Sequence, residues 1–317
     1  MFAISTMFAG GGSDSKDGPI TLRLAENQNA SSPVSVAMNM FADLVAEKTN
    51  GEVKVDVYLD AQLGNETETI DQVQIGTLDF ARVNVASVQS TCDDFGVLSL
   101  PYIFTSEPQM YRVLDGEVGD ALNKVLEDNY NMKNLGYIRA GSRNFYTTKK
   151  EIRSVADVKG MKIRVQPNDV SIKMVELLGG AATPMAYGEG YQGLQTGVID
   201  GAENDFTSYQ TSGHYEVAKN YTLDGHMFPP AVLLVSLSTW NKLSAEHQAA
   251  IQEAADEAIE WERNSMREYE NESRRLVEEA GANIIEVDVK EFQNAVSPIY
   301  DMYPQYKEYL DKILVTE

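Results

Sequence analysis

Apolar and polar residues in the first part of the chain follow two different periods. Three short apolar runs are typical of strands and lie at 20–25, 53–58 and 78–83. Two longer runs between them carry apolar residues three or four positions apart, as in an amphipathic helix, and lie at 34–48 and 66–75. This strand–helix–strand order predicts a parallel sheet with helices on both of its faces.

The same alternation resumes further along, after a predicted helix at about 108–130. The later elements share short lengths and regular succession: strands at 161–165, 181–185 and 198–203, with helices at 169–178 and 188–196. They predict a second α/β unit. An apolar strand within 223–238 is expected to return to the first sheet.

The longest predicted element is a helix from Ala245 to Ala280, which contains no Gly or Pro. About 36 residues at 1.5 Å each give a length of roughly 54 Å, more than a small domain needs. One helix that crosses two domains and joins them at a hinge explains this length, and a kinked or broken helix is the alternative. A strand at 284–287 and two C-terminal helices complete the chain.

Composition narrows the possible partners of the protein. The chain of 317 residues has 26 Lys and Arg against 48 Asp and Glu, a net charge of -22. This charge argues against nucleic acid and anionic membranes as partners, because both are polyanions. Cys92 is the single cysteine and the three histidines lack metal-type spacing, so we expect neither a disulfide nor a bound metal, and no cofactor.

The N-terminal segment differs in composition from the rest. Residues 1–12 are apolar and uncharged, and residues 13–18 are polar. Together they indicate the remnant of a secretion signal followed by a tether, with a cloning or annotation artefact as the alternative. No run of 18 apolar residues elsewhere predicts a membrane span.

One segment reverses the overall charge. Between residues 139 and 173 nine basic residues face three acidic ones. Arg143 and Arg164 lie in apolar runs of this region, and Asn204 ends a later one. A planar guanidinium binds a carboxylate through two parallel hydrogen bonds, and an asparagine amide can donate or accept. We therefore predict a site for a small organic acid.

Two other patterns are weaker. Gly188, Gly190 and Gly193 fit the glycine spacing of a dinucleotide-binding loop, but Pro184 in the preceding run is unfavourable for a central strand. The carboxylates of Glu203 and Asp205 are compatible with acid–base or metal chemistry, but helix capping and solvation explain them equally well.

Several motifs resemble one family, the solute-binding proteins of tripartite ATP-independent periplasmic (TRAP) transporters. The resemblance runs from about residue 20 to the C-terminus, and its motifs are GTLDF at 76–80, LPYIF at 100–104, DVKGMKIR at 157–164, LQTGVIDGAEN at 194–204 and WNKL at 240–243. It implies a two-domain α/β fold like that of periplasmic binding proteins, with a hinge and a long helix spanning both domains. We expect residues 19–140 with 226–262 to form the first domain, and 141–225 with 263–317 the second.

The resemblance also implies roles for individual residues. Arg164 is expected to pair with the ligand carboxylate, Asn204 to hydrogen-bond it, Arg143 to add a cationic contact, and Tyr187 to place its ring against the ligand. Amides from the loop at 26–29, in particular Gln28 and Asn29, and the strand end with Arg82 and Asn84 are expected to contact the ligand from the other domain.

Position 84 bears on the ligand. Relatives that bind sialic acid carry glutamate there, whereas this chain has Asn84. This difference argues against sialic acid, and Arg82 with the amide-rich loop at 26–29 favours a hydroxylated sugar acid over a bare dicarboxylate. A hexuronate such as glucuronate or galacturonate is the expected ligand, and a C4-dicarboxylate, an aldonate or a keto acid are the alternatives.

The resemblance further implies a monomer outside the cytoplasm, either periplasmic or lipid-anchored, that delivers its ligand to membrane permease subunits and catalyses no reaction. A sugar-acid dehydrogenase that uses the glycine motif is the competing function, and a ligand sensor is a third possibility.

Overall fold

The protein folds around two β-sheets. This computed structural model describes residues 18–139 and 141–316, so the predicted signal segment at 1–12 and most of the tether lie outside the described residues. Eleven strands were assigned within these ranges, in chain order β1 Ile20–Ala25, β2 Val53–Tyr58, β3 Phe80–Asn84, β4 Met132–Ile138, β5 Arg143–Thr147, β6 Lys162–Val165, β7 Ala181–Pro184, β8 Gly201–Asn204, β9 Asn220–Met227, β10 Ala231–Ser236 and β11 Asn283–Glu286.

Both sheets are mixed rather than parallel. The first has the order β2-β1-β3-β10-β4, and the second has the order β11-β9-β5-β8-β6-β7. The predicted parallel pairing holds for β1 with β2 and β3, whereas β10, which joins the first sheet as predicted and for which no direction was predicted, is antiparallel to β3 and β4. Strand β10 begins opposite the end of β3, with Ala231 beside Asn84. The chain enters the first sheet where β3 ends and must therefore run back along it.

The second sheet repeats this arrangement. Strand β5 is antiparallel to β8 and β9, and it begins beside the end of β8, with Asn144 opposite Asn204. Strands β6, β7 and β8 are parallel and alternate with helices, which fits the predicted second α/β unit. Strand β4, at the edge of the first sheet, was absent from the sequence prediction because Lys133, Asn134 and Gly136 interrupt its apolar pattern.

Helices cover both sheets. Their bounds in chain order are α1 Pro33–Lys48, α2 Glu66–Gln74, α3 Val85–Val88, α4 Glu107–Leu114, α5 Glu117–Tyr130, α6 Val155–Val158, α7 Asp169–Leu177, α8 Gly190–Thr196, α9 Phe206–Thr211, α10 His214–Val217, α11 Leu237–Trp240, α12 Ala245–Glu279, α13 Val289–Val296, α14 Ile299–Met302 and α15 Lys307–Val315. Three 3₁₀ turns lie at Asp93–Ser99, Tyr187–Glu189 and Pro304–Tyr306.

The helix predicted at 108–130 is two helices in the structure, α4 and α5, which meet at Gly116. A Cβ at this position would lie 2.6 Å from the Arg112 carbonyl oxygen, so a larger residue would not fit the sharp turn between them. The sequence prediction missed this break because the apolar positions stay in phase across it.

The long helix α12 confirms the prediction that one helix spans both domains. It runs unbroken for 35 residues, begins at the N-cap Ser244, whose side chain accepts from the His247 N–H, and ends one residue before the predicted bound. Its first half packs Ala254, Ala255 and Ala258 into the core of the first sheet. Its second half contributes Val277 to the core of the second sheet.

Within the described residues, the chain passes from one sheet to the other three times: between β4 and β5, between β9 and β10, and along α12. The C-terminal helices touch both halves, because α13 and α14 lie against α7 and α15 lies against α5. The exact domain boundaries given above stay a prediction.

Candidate ligand-binding site

A cavity lies between the two sheets, at the strand ends where β3, β6 and β8 terminate. Its lining comes from both sheets and from α12: Asn27, Gln28, Ser32, Val34, Arg82, Asn84, Arg143, Arg164, Gln166, Tyr187, Asn204, Asp205, Thr207, Ser208 and Met266. All of the predicted site residues except Asn29 are among them. The structure therefore brings together predicted side chains that are up to 176 positions apart in sequence, from Gln28 to Asn204.

Arg164 differs from the other buried arginines of the site. Its side chain is 2% exposed, and its Nε and Nη2 atoms donate to the Met185 carbonyl oxygen at 3.0 and 2.8 Å. Within residues 18–139 and 141–316 no carboxylate oxygen lies within 4.0 Å of its guanidinium nitrogens. Burial lowers the pKa of Arg164, although the charge of Glu203 acts in the opposite direction. Since arginine keeps its proton in proteins, a buried positive charge remains without a counterion.

Arg143, in contrast, is paired inside the protein. Its Nη2 atom donates to Oε1 of Glu203 at 2.8 Å, and its Nε atom donates to the other carboxylate oxygen. Although burial acts to raise the pKa of Glu203, Arg143 and His226 hold it at about 2. The positive charge of Arg143 is therefore matched within the second domain, whereas that of Arg164 is not.

His226 extends this network away from the cavity. Its Nδ1 lies 2.6 Å from Oδ2 of Asp224, and its Nε2 lies 3.5 Å from Oε2 of Glu203. Burial opposes protonation of the ring, yet the two carboxylates raise the pKa of His226 to about 9. Two carboxylates and two cations thus form a neutral buried group behind Asn204.

Asn204 is oriented by this network. Its Oδ1 atom accepts from Arg143 Nη1 at 2.9 Å and from the Asp205 N–H at 3.0 Å. Because both bonds go to the oxygen, the NH₂ end of the amide is the end left for the cavity. The group that Asn204 presents to the cavity is therefore a hydrogen-bond donor.

Arg82 lines the first-domain side of the cavity. It makes a bidentate pair with Glu26, with Nε–Oε2 and Nη2–Oε1 distances of 2.6 and 2.5 Å. Although burial disfavours its charge, Glu26 raises the pKa of Arg82. The ligand contact expected of Arg82 stays a prediction, but an anionic ligand is not needed to neutralise it.

Tyr187 begins the 3₁₀ turn that follows β7, and its ring borders the cavity. Its hydroxyl donates to the Ser208 carbonyl oxygen at 3.4 Å, and burial raises its pKa to about 12. The hydroxyl group therefore stays protonated at neutral pH. The ring offers an apolar face with a fixed polar edge.

The two predicted amides of the 26–29 loop, Gln28 and Asn29, have different positions in the structure. Gln28 lines the cavity, with its Oε1 accepting from the Ser32 hydroxyl at 2.5 Å. Asn29 lies outside it and donates from Nδ2 to the Thr211 carbonyl oxygen at 2.8 Å. Since Thr211 belongs to the half built on the second sheet, Asn29 joins the two sides of the cleft.

Sequence reasoning missed Gln166, which lines the cavity two positions after Arg164. Residues two apart on a strand face the same side, so the period of β6 could have indicated it. It also missed Met266, Thr207 and Ser208. Nothing in the sequence marks Met266 as a lining residue, because it faces the cavity from the middle of α12.

The two weaker patterns have structural explanations. Gly188 to Gly193 form the 3₁₀ turn and the start of α8, beyond the edge strand β7. Asp205 is the N-cap of α9, with Oδ1 accepting from the Ser208 N–H at 2.9 Å. In the described ranges, no group of three or more His, Cys, Asp or Glu side chains is arranged to hold a metal ion. None of the described helices combines the length and apolar character required to cross a membrane.

Comparison with known proteins gives consistent matches over nearly the whole chain. A family model described as bacterial extracellular solute-binding protein, family 7, matches residues 24–306. A solute-binding protein of Chromohalobacter salexigens is 42% identical over 283 residues, covering 89% of this chain and 84% of that protein.

Solved structures give the same result. A TRAP periplasmic solute-binding protein from C. salexigens, crystallised with D-glucuronate, is 40% identical and has a TM-score of 0.91, covering 93% of this chain and 100% of that one. One from Xanthobacter autotrophicus, with bound β-D-galacturonate, is 38% identical and has a TM-score of 0.90, again covering 93% and 100%.

Proposed function

The chain belongs to family 7 of the bacterial extracellular solute-binding proteins, and from this premise we propose that it captures a hexuronate and delivers it to a TRAP membrane permease. The expected ligands are D-glucuronate and D-galacturonate. The protein would act by binding and domain closure, without catalysis, either free in the periplasm or held by a lipid anchor at the outer face of the cytoplasmic membrane.

The observation that carries this proposal is the unmatched charge of Arg164. Removing a guanidinium from water costs several kcal/mol unless an anion replaces its hydration. Among the described residues, carboxylates pair with Arg82 and Arg143, whereas Arg164 has only the Met185 carbonyl oxygen as a hydrogen-bond partner. A ligand carboxylate in the cavity would complete the pair, with the NH₂ group of Asn204 as a second donor.

The remaining lining suits the body of a sugar acid. The Tyr187 ring offers an apolar face for the C–H groups of a pyranose. The amides of Asn27, Gln28, Asn84 and Gln166 can exchange hydrogen bonds with hydroxyls. The hexuronates bound to two relatives at 38% and 40% identity support this ligand class.

We propose that the two halves of the protein close over the ligand, because side chains from both halves are in contact across the cleft. Asn29 bonds to the Thr211 carbonyl, and Gln166 lies 3.4 Å from Glu66 of the other half. In an open protein Arg164 would be hydrated. Ligand binding and closure would exclude that water, which strengthens the ion pair and makes an empty closed state costly.

A calorimetric titration of wild type and Arg164→Met tests the proposal. The protein is first unfolded and refolded to remove any co-purified ligand, then titrated with D-glucuronate, D-galacturonate and succinate. Loss of the charge-assisted bonds is expected to weaken uronate binding by at least about 2 kcal/mol, or roughly thirtyfold. Arg153→Met is the matched control, because Arg153 is 64% exposed and pairs with Glu151.

Thermal unfolding without ligand provides a second readout. Since Arg164→Met removes a buried charge that has no counterion, the ligand-free variant is expected to unfold at the same temperature as the wild type or at a higher one. Wild-type protein that binds neither uronate would refute the proposed ligand class. Uronate affinity that survives Arg164→Met would remove Arg164 from the site.

A further inference from the structure

We infer that Glu66 is a positioning residue that sets ligand selectivity, because it fixes the direction of the Asn84 and Gln166 amides. The inference deepens the proposed function and rests on it. Its consequence is that the cavity favours a hydroxylated monocarboxylate over a dicarboxylate.

Glu66 is the first residue of α2 and is 8% exposed. Its Oε1 atom accepts from the backbone N–H of Asn84 at 3.1 Å and from Nδ2 of Asn84 at 2.9 Å. Its Oε2 atom accepts from the Ser87 hydroxyl and from Nε2 of Gln166 at 3.4 Å. One carboxylate thus collects four donors, of which two are amides that line the cavity.

The direction of both amides follows from the chemistry of the carboxylate. A carboxylate only accepts hydrogen bonds, so each amide must turn its NH₂ end toward Glu66. Its carbonyl oxygen then points away from Glu66. Within the described part of the chain, neither Oδ1 of Asn84 nor Oε1 of Gln166 accepts a hydrogen bond. Two acceptors are therefore left for a ligand.

This arrangement is the reverse of the one at Asn204. There Arg143 occupies the amide oxygen and leaves the NH₂ group, so Arg164 and Asn204 form a donor pair. Around Glu66 the free groups are acceptors. Hydroxyl groups can donate to these oxygens, whereas a second carboxylate on the ligand would face two carbonyl oxygens and could donate to neither.

Glu66 also links selectivity to closure. Asn84 ends β3 of the first sheet, whereas Gln166 follows β6 of the second. The Glu66–Gln166 contact therefore forms across the cleft, so the Gln166 acceptor is fixed only when the two halves are together. Arg82 does not compete with the two amides for the Glu66 carboxylate. Its Nη1 atom lies 3.8 Å from Oε1 of Glu66, and its Nε and Nη2 atoms are bound to Glu26.

Titration of Glu66→Gln with D-glucuronate and with succinate tests the inference. The glutamine amide can donate, so it allows Asn84 or Gln166 to turn its oxygen inward, away from the ligand. We expect the ratio of the two affinities to shift by at least about tenfold toward succinate, through loss of oriented acceptors. Glu68→Gln is the matched control, since Glu68 is exposed on the same turn of α2 and faces no lining amide.

Gln166→Met provides an independent variant in case Glu66→Gln fails to fold. It keeps the side-chain length and removes one acceptor, and the same direction of change is expected. An equal loss of both affinities, or no loss, in either folded variant would assign Glu66 a structural role only and overturn the inference. Wild-type protein that binds no uronate would instead refute the proposed function, and the inference would fall with it.

Discussion

Glu262 is a buried carboxyl group whose ionisation should control stability near neutral pH. It lies in the middle of α12 and is 0% exposed. Its Oε2 atom accepts from the Arg139 N–H at 3.0 Å, and among the described residues its Oε1 atom has no hydrogen-bond partner. Burial raises its pKa to about 8 from an ordinary value of 4.5, even though Arg139, Arg82 and Arg263 oppose the change.

The sign of the effect follows from proton binding. Between these two pKa values the folded protein holds a proton that the unfolded chain releases, so stability falls as pH rises from 4.5 to about 8. The difference of about 3.5 between the two pKa values corresponds to roughly 5 kcal/mol at 1.36 kcal/mol per pH unit. Glu262→Gln, which cannot ionise, should not show this loss.

Urea unfolding of wild type and Glu262→Gln at pH 5.5 and pH 8.5 measures the effect. The difference between the free energies of unfolding of variant and wild type is expected to include a constant part at both pH values, because the new NH₂ group replaces an oxygen that lacks a hydrogen-bond partner. The informative quantity is the change of that difference with pH, expected to be about 3 kcal/mol in favour of the variant at the higher pH. The contribution of His226, whose pKa is about 9, to the free energy of unfolding also falls as pH rises through this range. This contribution is the same in both proteins and cancels in the difference between them.

Glu260→Gln serves as the control, because Glu260 is exposed two positions earlier on the same helix. It should leave the pH dependence unchanged. A difference between wild type and Glu262→Gln that varies by less than about 0.5 kcal/mol between the two pH values would show that the buried carboxyl group does not titrate as reasoned.

Two further predictions concern the cleft. Arg143→Met leaves the buried Glu203 carboxylate without its partner and should lower the free energy of unfolding, measured by urea unfolding, by about 3–5 kcal/mol. The double variant Arg143→Met with Glu203→Met should recover most of that stability but not the uronate affinity measured by calorimetry, because Asn204 loses its orienting donor. Full recovery of affinity in the double variant would contradict the positioning role of Arg143. Asn29→Ala removes the hydrogen bond to Thr211 across the cleft. In stopped-flow fluorescence it should raise the uronate dissociation rate by about fivefold, with little change in the association rate. An unchanged dissociation rate would show that this bond does not hold the closed state.

The sequence was sufficient for most of the order of elements and for seven of the eight predicted site residues to be among those that line the cavity, because apolar period and motif spacing are local properties. It was not sufficient to separate Arg143 from Arg164. Both arginines stand in apolar runs of the same basic segment. Glu203 lies 60 positions from Arg143 and reaches it only through the antiparallel pairing of β5 with β8, which no single strand reveals.

Arg82 shows the same limit. Its partner Glu26 follows β1, and the parallel register that places Leu24 beside Phe80 also places Glu26 beside Arg82. Register depends on how two strands meet and not on either strand alone. The sequence therefore identified which side chains are cationic, but not which cation the protein had already neutralised.

The direction in which a strand runs in its sheet was also not predictable from the apolar pattern of that strand alone. Strands β5 and β10 each enter a sheet from a crossing between the two halves, so their direction is set by where the previous strand ended. Gln166 was missed for a different reason. Its side chain is an uncharged amide, which the sequence does not mark as an anion-binding group, and its contact with Glu66 forms only across the cleft.

The single cysteine gives the protein a practical use. Cys92 is fully buried, and burial raises the pKa of its thiol to about 12, so it presents almost no reactive thiolate. A cysteine introduced at the exposed position Ala30, next to the residue that bridges the cleft, would be the one thiol a maleimide dye could label. The native chain is thus already a suitable background for a fluorescent uronate sensor, with no cysteine to remove first.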